Sequence, residues 1–159
     1  MRSKMTALIA VFGIALAFCG SQQVASADAA NPVPTTPTAI AIDATVGVGS
    51  TPSAYISGMA TATQGSFKIV SATSKMCGNV ASFVGSVDSS GNQHVTIKLV
   101  GYTYDAFGRM VMMCGRIDVT QWKSGAKTAG AAIYPYSQNS LLATATVEKP
   151  FIQGGLLFK

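Results

Sequence analysis

Residues 39–48, AIAIDATVGV, alternate apolar and polar positions almost without a slip. Ile40, Ile42, Ala44, Val46 and Val48 share one parity, and Ala41, Asp43, Thr45 and Gly47 take the other. A period of two marks a half-buried strand and decides which of its faces must be covered. The stretch before it, residues 28–38, is rich in Pro and Thr and predicts a flexible linker. The strand can be satisfied in two ways: as the first strand of its own domain, or as a strand given to another molecule.

The N-terminus has the parts of a secretory signal: Arg2 and Lys4, an apolar run from Ala7 to Phe18, and the small-x-small exit Ala25-Ser26-Ala27. Cleavage there removes residues 1–27 and places the mature chain in the periplasm or at the cell surface. The apolar run is short for a membrane span, and no later segment approaches one, so the mature chain is expected to have none. Cys19 sits in a lipoprotein-like box, but it follows Phe18 where that box has a small residue, so signal cleavage is the preferred route. Without Arg2 and Lys4 the eleven basic residues become nine, against six acidic ones. They are scattered rather than clustered, which argues against a nucleic-acid partner. The mature chain retains Cys77 and Cys114, and in an oxidising compartment an even pair predicts a disulfide worth roughly 4 kcal/mol.

Between Val80 and Thr120 the chain predicts a three-stranded meander. The middle strand shows Val95, Ile97 and Leu99 on one face, and the third shows Val111, Met113, Ile117 and Val119. These faces coincide only if the connecting loop is odd in length. Ala106-Phe107-Gly108 supplies a three-residue loop ending on Gly, which pairs Leu99 with Gly115 and Ile97 with Ile117. The opposite face carries Val100, Tyr102, Tyr104, Met110, Met112 and Cys114 near the turn, and His94, Thr96, Lys98, Arg116 and Asp118 farther away. The first group is expected to be covered, by a packed loop or by a partner in an apolar groove, and the second to face water. Counting the remaining β-leaning segments gives seven or eight short antiparallel strands. The expected fold is all-β, an immunoglobulin-like β-sandwich over residues 39–159.

Groups for catalysis are scarce. His94 is the one histidine, and the chain has no nucleophile elbow, no zinc-protease motif and no phosphate-cradling Gly loop. Two cysteines and one histidine do not fill a structural zinc site, so neither metal nor cofactor is expected. Asp118 is expected to lie between Lys98 and Arg116 and relieve their repulsion. Trp122, Tyr134 and Tyr136 could form an aromatic platform for a carbohydrate or protein ligand.

A cleavable signal, an alternating strand after a flexible segment, and a small two-cysteine β domain together resemble a chaperone–usher fimbrial (pilin-like) subunit. Phe158, penultimate and on the parity of Leu156 and Ile152, adds to the resemblance. The central cysteines depart from the family pattern, as does Thr146 where a glycine is usual. The resemblance implies an incomplete sandwich and a non-enzymatic structural role in a pilus or other adhesive surface assembly. Its partners would be other copies or related subunits joined by strand exchange, with a periplasmic chaperone and an outer-membrane usher. Ile40, Ile42, Ala44, Val46 and Val48 would then be the side chains inserted into a neighbour. The alternative is a self-complete exported binding module.

Overall fold

The computed structural model describes residues 33–137 and 144–159, so the expected signal peptide and Cys19 lie outside the described residues. Eight strands follow one another: β1 (Ala39–Val48), β2 (Thr51–Thr61), β3 (Gly65–Ser71), β4 (Lys75–Val87), β5 (Gln93–Tyr104), β6 (Met110–Gln121), β7 (Lys127–Pro135) and β8 (Lys149–Phe158). Each pairs antiparallel with the next, and β8 returns to β1, so the sheet closes as an up-and-down barrel. The all-β expectation holds. The immunoglobulin-like sandwich does not, because consecutive strands are neighbours throughout and no strand crosses between two sheets.

The ladders are nonetheless uneven. β3 meets β4 only over Ser66–Val70 against Lys75–Asn79, and β7 meets β8 only at Thr128↔Pro150 and Ala129↔Lys149. At these two corners the strands stagger past each other, as closure of a tilted sheet requires. Among the described residues, the lower part of β8 consequently has an open edge. Pro150 at its start and the left-handed Gly154 (φ +103°) disfavour edge-to-edge pairing there.

β1 is paired on both sides within its own chain, Ile42 with Gly58 of β2 and with Leu156 of β8. Ile40, Ile42, Ala44 and Val46 point into the barrel beside Ile56, Ile69, Ile97, Leu99 and Ile117. Each of the Ile and Val side chains contributes roughly 1.5–3 kcal/mol by leaving water. Val48 departs from the alternation: the register shifts between Val46 and Gly47, so Gly47 is buried and Val48 is exposed. A bulge adds one residue and moves everything beyond it to the other face. Residues 33–38 are placed against the end of the barrel opposite the β5–β6 turn. Pro37 is buried beside Gly85, and Gln93 donates to the Thr35 carbonyl.

The β5–β6 hairpin has the expected register, Leu99↔Gly115 and Ile97↔Ile117. Its turn closes with Asp105 N–H on the Arg109 carbonyl (2.9 Å) and Gly108 N–H on the Asp105 carbonyl (3.0 Å). Gly108 takes φ +75°, the left-handed position that the three-residue loop demands.

The Cys77–Cys114 disulfide is corrected: both thiols are free. Cys77 lies in β4 opposite Tyr102, and Cys114 lies in β6 opposite Val100, with β5 between them. Two strand spacings are roughly 9.6 Å, beyond the Cα separation a disulfide spans. Cys77 is exposed and Cys114 buried, so a thiol reagent should label Cys77 in native protein and Cys114 only after denaturation. An intact mass two protons lighter before reduction would contradict this arrangement.

Candidate functional site

Two groups of side chains stand out on the barrel's outer wall, at opposite ends of the β5–β6 hairpin. The first is polar. Asp88 opens the β4–β5 turn and accepts from the backbone N–H of Ser90 and Asn92 (2.9 and 3.0 Å) and from the Asn92 amide (2.9 Å). Its Oδ2 lies 2.8 Å from Nε2 of His94. His94 faces Thr120 across the ladder, with Nδ1 2.9 Å from Oγ1. Thr120 donates to Oε2 of Glu148 (3.0 Å), and Thr128 donates to Oε1 (3.2 Å). Trp122 Nε1 donates to Thr128 (2.9 Å), and its ring meets His94 edge-on.

Beside this line sits Asp118. Arg116 reaches it through Nε (2.8 Å) and Nη2 (3.0 Å), Thr96 through its hydroxyl (2.8 Å), and Thr146 through both N–H (2.9 Å) and hydroxyl (3.0 Å). Lys98 has no part in this set, contrary to expectation. Burial pushes the Asp118 carboxyl up, but the hydrogen bonds from Arg116, Thr146 and Thr96 outweigh it and hold it below the usual aspartate range. The Asp118 hydrogen bonds in turn raise the Arg116 guanidinium. The His94 hydrogen bond, followed by those from Asn92, holds Asp88 far below that range.

Thr146 and Glu148 belong to residues 144–148, which run outside β6 and β7 before entering β8. A Cβ at Gly130 would strike Thr146 Oγ1 and the Val147 carbonyl at 2.5 Å, so a glycine leaves the space this segment needs. The polar end of the hairpin, expected to face water, is therefore covered: Asp118 is 7% and Thr120 1% exposed. Every buried side-chain nitrogen and oxygen among the described residues has a partner. The order Asp88–His94–Thr120 imitates a proton relay, but the Thr120 hydroxyl is enclosed and already bonded, leaving no room for a reacting carbonyl.

The second group is apolar. β4 leaves β5 after Cys77↔Tyr102, and β7 leaves β6 after Met113↔Pro135, with one further bond from Tyr136 N–H to the Met112 carbonyl (3.3 Å). Beyond that level, among the described residues, the hairpin is a two-stranded arm. Tyr102, Tyr104, Met110 and Met112 lie together on one face and are exposed, the two tyrosine rings edge-to-face at 5.7 Å. Of the face expected to be covered, only Cys114 at the base is fully buried. Phe107 at the tip is 83% exposed, with the Arg109 guanidinium 5.2 Å from its ring centroid. Such a ribbon is marginal in water by itself. Here Asp105 fixes the turn, accepting from the N–H groups of Phe107 and Arg109 (each 2.9 Å) and pairing with the Arg109 side chain (2.8 Å). The Arg109 N–H bond is the main cause that lowers the Asp105 carboxyl.

The three aromatics singled out in the sequence do not form one platform. Trp122 lies at the β6–β7 turn beside Thr128, whereas Tyr134 lies near the other end of β7 and Tyr136 just past it, roughly 20 Å along an extended strand. Among the described residues no His, Cys, Asp and Glu group could hold a metal, and no helix is long and apolar enough to cross a membrane. No family model matches the chain, and no curated protein or solved structure matches it either.

Asp118→Ala removes the acceptor that Arg116, Thr96 and Thr146 share and breaks a nearly enclosed ion pair. It should cost about 3 kcal/mol in urea unfolding. The contribution of Asp118 is fully present above the ordinary aspartate value and is lost as pH falls through its lowered one. The gap between wild type and variant should therefore narrow only in acid.

Proposed function

We propose that the chain is an exported, non-enzymatic, self-complete β domain that binds a protein partner through the β5–β6 arm. The observation that carries this is the concentration of exposed apolar side chains, Tyr102, Tyr104, Phe107, Met110 and Met112, on a rigid projection from an otherwise filled barrel. Contiguous exposed apolar surface of this kind marks an interaction site. Tyr, Phe, Met and Arg are the residue types enriched where two proteins meet. The one ion pair on the arm, Asp105–Arg109, is internally compensated, so the arm does not call for a charged ligand. A narrow, neutral, aromatic-tipped ribbon suits an apolar groove in another protein.

A fimbrial role remains compatible with this reading in modified form. To donate β1, the chain would first have to break the ladders to both β2 and β8 and expose Ile40, Ile42, Ala44 and Val46. Within a surface assembly, the arm is the more accessible contact. The carbohydrate alternative draws less support, since Trp122 and Tyr134 are far apart.

A photo-crosslinking residue at Tyr104 or Met110 in exported protein should capture the same partner, whereas one at Asp43 or Lys68 should not. The pair Tyr104→Ser and Met112→Ser should leave the thermal melt nearly unchanged, because both side chains are already in water. It should weaken binding of that partner by about a hundredfold, the scale of a lost hot spot. Unchanged affinity in the double variant, or equal capture from the opposite wall, would overturn the assignment.

A further inference from the structure

Thr120 has one hydroxyl proton and stands between two acceptors, Nδ1 of His94 at 2.9 Å and Oε2 of Glu148 at 3.0 Å. On the other side of the imidazole, Nε2 faces the Asp88 carboxylate at 2.8 Å. That carboxylate, already gathering donors from Ser90 and Asn92, can only accept, so Nε2 carries a proton. If the imidazole is otherwise neutral and Glu148 is ionised, Nδ1 and Oε2 both need the Thr120 proton. One of the two contacts then lacks a hydrogen. A single additional proton resolves the conflict. On Nδ1 it lets His94 donate to Thr120, which donates onward to Glu148. On Glu148 it lets the carboxylic acid donate to Thr120, which donates to His94.

We propose that this shared proton fastens residues 144–148 to the outer wall, so that the β7–β8 seam is held at lower pH and loosens as pH rises. The seam is the natural place for such a device. β7 and β8 share only Thr128↔Pro150 and Ala129↔Lys149, immediately after Glu148. The titratable and charged groups around Glu148 are His94 from β5, Asp88 behind it from the β4–β5 turn, and Asp118 with Arg116 from β6. From β7 it meets the neutral Thr128, while Lys127 has the opposite parity. Lys149, next in the chain, turns away to the Ser53 hydroxyl at 2.8 Å.

Burial pushes the Glu148 carboxyl above the usual glutamate range. Hydrogen bonds from Thr120 and Thr128 offset part of this, the Asp118 charge adds to it, and His94 opposes it. A raised carboxyl contributes stability that is fully present below the ordinary glutamate value and is lost as pH rises through the raised one. The seam should therefore weaken as pH rises through that raised value, the reverse of the behaviour of Asp118. This device is independent of what the β5–β6 arm binds.

Hydrogen exchange of the full chain tests it, read as protection factors corrected for intrinsic exchange at about pH 5 and about pH 8. In wild type, protection at Thr146 and its neighbours in residues 144–149 should fall by about tenfold at the higher pH, the scale of one lost hydrogen bond. The β5–β6 amides should hold. Glu148→Gln supplies a permanent donor to Thr120 and should keep the segment protected equally at both values. Thr120→Val severs the line and should leave it poorly protected at both. Wild-type protection that is the same at both pH values would overturn the proposal, as would full pH dependence retained in Glu148→Gln.

Discussion

β1 must be sealed on three sides at once, and the architecture follows from how this chain does it. Its inner face, Ile40 to Val46, needs a core, and its two edges need ladders, which β2 and β8 supply. Closing an eight-stranded ring around that strand forces the sheet to tilt and its ladders to stagger. The stagger is concentrated at β3–β4 and β7–β8 rather than shared evenly. Because β8 begins level with Ala129 rather than with the end of β7, the chain must travel back outside the sheet to start it. Residues 144–148 are why Asp118 and Thr120 are buried and Glu148 half-buried on what would otherwise be a wet outer surface. The polar wall is thus a consequence of barrel closure.

What the sequence revealed, and what it hid, divides along the range of the information. The β5–β6 register was legible because two local signals, the parity of Val95–Leu99 against Ile117–Val119 and a glycine at the left-handed loop position, had to agree. The inward face of β1 was legible for the same reason, up to the bulge at Gly47. Alternation says which face is covered but not which strand lies alongside, so a closed barrel and a sandwich looked alike. A Cys77–Cys114 bond requires the chain at Cys77-Gly78 to fold over the Tyr102 face, but Cys77 stays in the ladder and β5 holds the two cysteines apart.

The covered and open ends of the hairpin lie the other way round from what residue type suggests. Tyr102, Tyr104, Met110 and Met112 look like core residues by type, while Thr96, Arg116 and Asp118 look like surface. Type alone cannot register a segment that arrives 28 residues later and supplies hydrogen-bond partners to the polar end. The threonines of residues 144–146 and the glycine at 130 were the available traces of that crossing, but neither is specific without the ladder that brings them together.

The same hairpin carries both features of interest, and its construction keeps them mechanically separate. Its base is fixed from outside by Thr146 on Asp118 and by Glu148 on Thr120, and from inside by Leu99 and Ile117 in the core. The arm overhangs that base, held by Asp105 and by its own ladder from Tyr102↔Met112 to Tyr104↔Met110. A binding projection gains affinity from being ordered beforehand, since less freedom is lost on contact. Loosening the outer segment removes neither the inner packing nor the Asp105 turn. A change at the β7–β8 seam can therefore alter how tightly the barrel is closed while the arm keeps its shape, because the bonds that define each lie at different levels of one ribbon.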